Sequence, residues 1–121
     1  MTHNLGGVRV LVAEDEILIA MELENALISS GCVVIGPYSR LSQALKAAQS
    51  EVFDVALLDV NLQGHKIFPV AETLASRALP FLLLTGYADR VLPRGGEHWQ
   101  VLSKPYRVEK VLERMATLIG R

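Results

Sequence analysis

Polar residues follow four of the short hydrophobic runs in this chain, at the point where each run ends. They are Glu14 with Asp15, then Asp59, then Thr85 and finally Lys104. In a parallel α/β sheet, ligands bind beyond the carboxyl ends of the strands, so polar residues at successive strand ends are expected to lie close together. The pattern therefore predicts one site with three carboxylates, a hydroxyl and an ammonium group.

Three neighbouring carboxylates require a compensating positive charge. Two unit charges about 4 Å apart repel by about 4 kcal/mol at an effective dielectric of about 20. Oxygen ligands and an incoming phosphate suit Mg²⁺. A carboxylate nucleophile, a metal ion and two further donors are the parts that phosphoryl transfer requires, which makes Asp59 the predicted acceptor and Thr85 and Lys104 the predicted donors.

The elements that must position these residues are predicted from hydrophobic periodicity. Runs rich in Val and Leu, as expected for strands buried on both faces, lie at 8–13, 32–36, 55–58, 81–84 and 101–102. Amphipathic patterns predict helices at 16–29, 41–48, 68–77 and 108–119. Between the fourth and fifth strands, any helix must fit within 88–92, because Pro93, Gly95 and Gly96 break the pattern.

Strands that alternate with helices imply right-handed parallel crossovers, which favours a flavodoxin-like α/β fold. The prediction is a three-layer (βα)5 sandwich with a five-stranded parallel sheet of order 2-1-3-4-5 and a shortened or irregular fourth helix. Strands one and three are neighbours in that order, so Glu14, Asp15 and Asp59 face each other where the strand order reverses. Gly31 is predicted to close the first helix in a left-handed conformation.

In this order and on these strands, the polar residues resemble the motif of the receiver domain of bacterial two-component response regulators. The residues that carry the resemblance are Glu14-Asp15, Asp59, Thr85 and Lys104-Pro105. The likeness covers essentially the whole chain, and five residue types in register with four strand ends make it specific. It implies a signalling phosphoacceptor of a two-component or phosphorelay system and no enzyme.

The resemblance also implies a role for each residue. A histidine kinase or phosphotransfer protein is expected to phosphorylate Asp59, and Thr85 and Lys104 are expected to contact the phosphoryl group. A downstream protein is the expected output partner, with no direct contact to nucleic acid or membrane. The groups expected to hold Mg²⁺ are Glu14, Asp15, Asp59 and the backbone carbonyl of Asn61.

One position departs from the family pattern. Receivers commonly carry Tyr or Phe three residues before the lysine, where this chain has Val101. The segment 81–87 reads Phe-Leu-Leu-Leu-Thr-Gly-Tyr, which is similar to a FATGUY-like subgroup of mostly stand-alone receivers with a reduced fourth helix. Our hypothesis is that Thr85, Gly86 and Tyr87 replace the missing switch, because Gly86 relaxes the backbone beside the hydroxyl.

Composition limits the class of protein. With 121 residues, half of them hydrophobic, the chain is expected to form one domain over residues 1–121, with no output segment after Ile119. Twelve Lys and Arg against thirteen Asp and Glu give no basic footprint for nucleic acid or membrane surfaces. No signal pattern or membrane-spanning run is visible, which predicts a cytoplasmic protein. Cys32 is the single cysteine, and it is expected to be a buried thiol.

Each site residue has an ordinary alternative when it is considered alone. Glu14 and Asp15 also suit the first turn of a helix, and Asp59 also suits a turn. Thr85 can bond the backbone at a strand end, and Lys104 can be a solvated side chain. The combination of these residue types at successive strand ends favours the shared site.

Other residues receive structural interpretations. Glu16 is interpreted as an acidic first-turn residue. Trp99 is interpreted either as part of a partner surface or as a residue half-buried against the last strand. The three histidines lack metal-ligand spacing and are expected at the surface: His3, His65 and His98.

Three other functions compete with the receiver interpretation. An aspartyl-phosphate hydrolase needs a second carboxylic acid two residues after the nucleophile, where Asn61 cannot act as a general acid at neutral pH. A flavodoxin-like cofactor carrier needs a glycine-rich phosphate loop, whereas residues 12–16 contain no glycine and three acids. An interaction module that is never phosphorylated is opposed by the intact Asp59 and Lys104, but it stays open.

Overall fold

The computed structural model describes residues 4–86 and 91–121. Five strands form the main sheet, and they are β1 (Arg9–Ala13), β2 (Val33–Tyr38), β3 (Val55–Asp59), β6 (Phe81–Thr85) and β7 (Val101–Ser103). Within the described ranges, the helices are α1 (Ile17–Ser29), α2 (Leu41–Ser50), α3 (Phe68–Ser76) and α4 (Val108–Leu118). Two short strands, β4 (Asn61–Leu62) and β5 (His65–Lys66), form a separate antiparallel pair.

The main sheet is parallel, and its strand order is β2-β1-β3-β6-β7. Counted among the five long strands, this is the order 2-1-3-4-5, so the predicted flavodoxin-like fold is confirmed. Ala13 lies beside Leu58 in the β1–β3 register, and Asp59 lies beside Leu84 in the β3–β6 register. The carboxyl ends of the three central strands therefore meet at one edge of the sheet.

Helices cover both faces of this sheet, because alternate strand residues point to opposite sides. One core contains Leu11, Leu58 and Leu83 with residues of α2 and α3. The other contains Leu57 and Leu84 with residues of α1 and α4. Every residue of β3 and β6 is buried, and burying one Leu side chain stabilises a fold by about 1.5 to 3 kcal/mol. The packed core therefore fixes the positions of the ends of β3 and β6.

The end of α1 has the predicted geometry. Gly31 has a φ of +87°, and its N–H donates to the carbonyl of Ile28 at 3.0 Å. The N–H of Cys32 donates to the carbonyl of Leu27 at 2.9 Å, which completes a Schellman motif. Cys32 is buried as expected, and burial raises the pKa of its thiol.

The connection between β6 and β7 is irregular where it is described. Residues 88–90 of the predicted helical window lie outside the described residues, and residues 91–100 contain turns and no helix. Trp99 is half-buried, with its ring centroid 5.5 Å from that of Phe81 and 6.3 Å from that of Phe68. Half-burial is therefore confirmed, and the aromatic partners of the indole include one residue of β6 and one of α3.

The remaining surface predictions have simple outcomes. His65 and His98 are exposed, whereas His3 lies outside the described residues. Among the helices that the structure describes, none is both long and apolar enough to span a membrane.

Candidate functional site

The structure brings the three predicted carboxylates together. Glu14 and Asp15 follow β1, and Asp59 ends β3. One oxygen of each side chain lies within 4.8 Å of the others. Glu14 and Asp59 are only 2% and 5% exposed, whereas Asp15 is half-buried. The cluster is thus largely shielded from water, which strengthens the repulsion between its charges.

Lys104 supplies the positive charge at this cluster. Its Nζ donates to Oε1 of Glu14 at 3.1 Å and to Oδ2 of Asp59 at 3.0 Å. The residue follows β7, and its backbone N–H donates to the carbonyl of Thr85 at 2.7 Å. This backbone bond fixes the position of Lys104 relative to the end of β6, and so the point from which its side chain reaches the site.

Three carboxyl groups surround the ammonium group of Lys104, and the pKa values of Glu14 and Lys104 are both raised. Burial raises the pKa of Glu14 to about 8, and the hydrogen bond and negative charge of Asp59 add to the effect, while Lys104 partly opposes it. Burial lowers the pKa of Lys104, but its hydrogen bond to Asp59 and the charges of Asp59 and Glu14 outweigh burial and raise it. The site therefore favours an additional positive charge.

Backbone amides orient all three carboxylates. The N–H of Asn61 donates to Oδ1 of Asp59 at 3.2 Å, and the N–H of Glu16 donates to Oε2 of Glu14 at 3.3 Å. The N–H of Gln63 donates to Oδ2 of Asp15 at 2.8 Å. These bonds restrict the rotation of each carboxylate, so the oxygen cluster is preorganised.

Two of the three predicted switch residues are described, and both lie at the carboxyl end of β6: Thr85 ends the strand and Gly86 follows it. Thr85 is fully buried, and no described group is a hydrogen-bond partner of its Oγ1. Gly86 is half-buried and lines a cleft with Lys104, whereas Tyr87 lies outside the described residues. Val101, at the usual aromatic position, is half-buried and pairs with Leu83.

Comparison with known families decides the identity of this fold and site. The family model of the response regulator receiver domain matches residues 10–116. The chain belongs to this family. Receiver domains are signalling phosphoacceptors of two-component systems, and this receiver has the sheet, the acidic cluster and the lysine at the strand ends where the sequence motif placed them.

Individual relatives agree with this assignment. TctD from Salmonella typhimurium is 36% identical over an alignment of 120 residues that covers 93% of this receiver and 52% of TctD. The solution structure of SdrG from Sphingomonas melonis Fr1 is 37% identical, with a TM-score of 0.80 and coverage of 93% of this chain and 96% of that one. The receiver domain of sensor histidine kinase PA1611 from Pseudomonas aeruginosa is 21% identical, with a TM-score of 0.78 and coverage of 96% and 100%, and shows the fold alone. The chain spans about half the length of the curated relatives that it matches.

Three residues near the site were not predicted from the sequence. Glu16, interpreted as a first-turn acid, has Oε1 at 3.5 Å from Nζ of Lys104. The amide of Gln63 holds Asp15. Tyr106 has a buried hydroxyl, and burial together with the charge of Glu14 raises its pKa. Proximity to Lys104 in the sequence was a usable signal for Tyr106, but no local pattern indicates the contact of Gln63.

The raised pKa of Glu14 predicts a stability that depends on pH in metal-free protein. Glu14 is protonated in both states below its ordinary pKa of 4.5; above it, the unfolded chain loses the proton while the folded protein keeps it up to a pH of about 8. The free energy of unfolding should therefore fall through this window by about 1 kcal/mol per pH unit from this group. Urea unfolding in the presence of a chelator, at pH values from about 5 to about 8, measures this slope.

Glu14→Gln is the matched variant for this measurement, since it removes the titrating group and keeps the side-chain length. The slope of the variant should be shallower than that of the wild type. Equal slopes in the two proteins would show that Glu14 keeps an ordinary pKa.

Proposed function

We propose that this receiver domain accepts a phosphoryl group on Asp59 from a histidine kinase or phosphotransfer protein. The observation that carries the proposal is the placement of Lys104, whose Nζ lies 3.0 Å from Asp59 and 3.1 Å from Glu14. A buried acceptor carboxylate with an ammonium group at hydrogen-bond distance provides both the nucleophile and a donor for the transferred group.

The chemical step needs one oxygen of Asp59. That oxygen attacks phosphorus and forms an O–P bond, while the P–N bond to a phosphohistidine, or the P–O bond of an acyl phosphate, breaks. The leaving group takes the bonding electron pair, and a histidine leaving group also takes up a proton. Because Asp59 ends a fully buried strand and accepts the Asn61 N–H, its carboxylate is held in position for this attack.

The oxygen groups of the site fit Mg²⁺. We propose that Glu14, Asp15, Asp59 and the carbonyl of Asn61 hold the ion, which supplies positive charge to the phosphoryl oxygens. The clustered carboxylate oxygens favour a hard cation, which must displace the proton of Glu14 when it binds. The structure of the PA1611 receiver domain contains a magnesium ion in its active site cleft.

The phosphorylated state should alter the β6 and β7 ends. A phosphoryl group adds about 1.5 to 2 negative charges at neutral pH, so it should draw Lys104 away from Glu14. The Thr85 hydroxyl, which has no hydrogen-bond partner among the described residues, can donate to this group. Thr85, Gly86 and Tyr87 then form the proposed switch, and a downstream protein partner reads the changed surface.

The similarity to SdrG, with 37% identity and a TM-score of 0.80, supports the FATGUY-like form of this proposal. The irregular described segment between β6 and β7 agrees with the reduced fourth helix of that subgroup.

The direct test is incubation of the purified protein with acetyl phosphate and Mg²⁺, followed by intact-mass measurement. A mass gain of one phosphoryl group, located on Asp59 by fragmentation and lost when a chelator replaces Mg²⁺, is the expected result. No gain, or a gain on another residue, would refute the proposal. Repeated turnover of phosphate monoesters would instead favour the hydrolase alternative.

A further inference from the structure

The connection between β3 and α3 contains a short hairpin that touches the carboxylate cluster. Its two strands pair Asn61 with Lys66 and Leu62 with His65. Gln63 and Gly64 form the turn, and both have positive φ values, +52° and +87°. Two consecutive residues of this kind are typical of the tight turns that join two antiparallel strands.

We propose that this hairpin, residues 61–66, is a positioning element for Asp15. The inference rests on the proposed function, because it concerns the carboxylate that would hold Mg²⁺. The N–H of Gln63 donates to Oδ2 of Asp15 at 2.8 Å across a sequence separation of 48 residues. Asp15 is the most exposed member of the carboxylate cluster, so it gains most from a fixed donor.

The hairpin is built to hold this amide in place. The N–H of Gly64 donates to Oδ1 of Asn61 at 2.7 Å, which closes the turn from inside. Leu62 and Ile67 are fully buried, and the N–H of Ile67 donates to the carbonyl of Val60 at 2.8 Å. A non-glycine residue such as Gln63 keeps a positive φ only where its surroundings fix the backbone.

The same hairpin also contacts Asp59 and carries the carbonyl of Asn61. Asn61 donates its N–H to Asp59 and carries the carbonyl that is proposed to hold Mg²⁺. Two residues later, Gln63 donates to Asp15. A single backbone segment therefore sets the positions of Asp15 and Asp59 relative to that carbonyl, and a distorted turn should weaken the metal site before it weakens the fold.

The test compares Gly64→Ala with Gly95→Ala. Both glycines have a positive φ, +87° and +89°, and within the described part of the chain, their own neighbours apart, no heavy atom lies within 4 Å of an added Cβ at either position. The two substitutions therefore impose the same kind of backbone strain without a clash. Calorimetric titration with Mg²⁺ should show an affinity at least about tenfold lower for Gly64→Ala, the size typical of losing a group that orients a metal ligand. Gly95→Ala should change it by less than about twofold, because the adjacent Gly96 lies against Trp99, which packs on Phe81 at the start of β6, whereas the site lies at the other end of that strand.

Gln63→Gly is the conservative control, because it keeps the backbone N–H that donates to Asp15 and suits the positive φ. Its Mg²⁺ affinity should equal that of the wild type. Amide hydrogen exchange without metal gives a second readout, in which the Gln63 N–H should be protected in wild type and should exchange faster in Gly64→Ala.

The outcomes separate the two proposals. If the wild type binds Mg²⁺ and is phosphorylated but Gly64→Ala binds like Gly95→Ala, the positioning inference is wrong and the proposed function stands. If the wild type binds no Mg²⁺, both fail. A Gly64→Ala protein that loses affinity with Gln63 still protected would also overturn the inference, because the loss would not pass through the amide.

Discussion

Asp59→Asn should abolish phosphoryl labelling by acetyl phosphate while the fold remains intact. An amide is a far poorer nucleophile than a carboxylate, so we expect the labelling rate to fall by more than about a thousandfold. Asn has nearly the same shape as Asp, and its carbonyl oxygen can still accept the N–H of Asn61, which Asp59 accepts at 3.2 Å. Intact-mass measurement over time gives the rate, and circular dichroism checks the fold.

Asp54→Asn is the matched control for this variant. Asp54 directly precedes β3, at the opposite end from Asp59, and its exposed carboxylate accepts the N–H of Arg9 at 2.8 Å. The same chemical change at the other end of the strand should leave labelling unchanged. Labelling that persists in Asp59→Asn at the wild-type rate would place the acceptor elsewhere.

The strands were predictable because a parallel sheet covered on both faces requires continuous apolar runs. The fully buried residues of β3 and β6 are such runs, and each ends in the residue assigned to the site, Asp59 and Thr85. Right-handed crossovers do not fix the strand order; the order that brings β1 beside β3 came from matching the alternating elements to the flavodoxin-like fold. The positions of Glu14 and Asp59 were therefore predictable from the hydrophobic runs together with that fold pattern.

The hairpin and the contact between Glu16 and Lys104 were not predictable in this way. Gln63 meets Asp15 across 48 residues, and Glu16 approaches Lys104 across 88, so no local periodicity encodes either contact. The packing of Trp99 is similar, since it depends on Gly96, where an added Cβ would lie 2.7 Å from the indole ring. Such details are set by tertiary packing, which overrides local propensity.

Lys104→Ala should lower the free energy of unfolding of metal-free protein by about 2 to 4 kcal/mol at neutral pH. The substitution leaves the buried Asp59 carboxylate without its cation, and removing one partner of a buried ion pair is costly because the other charge stays desolvated. Glu14 adds little to the loss, because its pKa is raised to about 8 and it is already largely protonated at neutral pH. Urea unfolding in chelator measures the difference.

Lys110→Ala is the control for this loss, since it also removes a lysine from an ion pair. Lys110 and Glu113 lie 3.5 Å apart, but their side chains are 50% and 54% exposed, against 16% for Lys104. An exposed pair contributes less than about 1 kcal/mol, so this variant should be almost as stable as the wild type. Equal losses in both variants would mean that burial does not strengthen the Lys104 contacts.

Added Mg²⁺ distinguishes an electrostatic loss from a packing loss in Lys104→Ala. A divalent cation among the carboxylates replaces the missing positive charge, and binding to the folded state adds about 2.7 kcal/mol of stability at a hundredfold excess over the dissociation constant. The variant should gain more from Mg²⁺ than the wild type does, because no ammonium group competes with the ion for Glu14 and Asp59. A gain equal to that of the wild type would show that the lysine acts by packing, and the charge argument for the site would then be wrong.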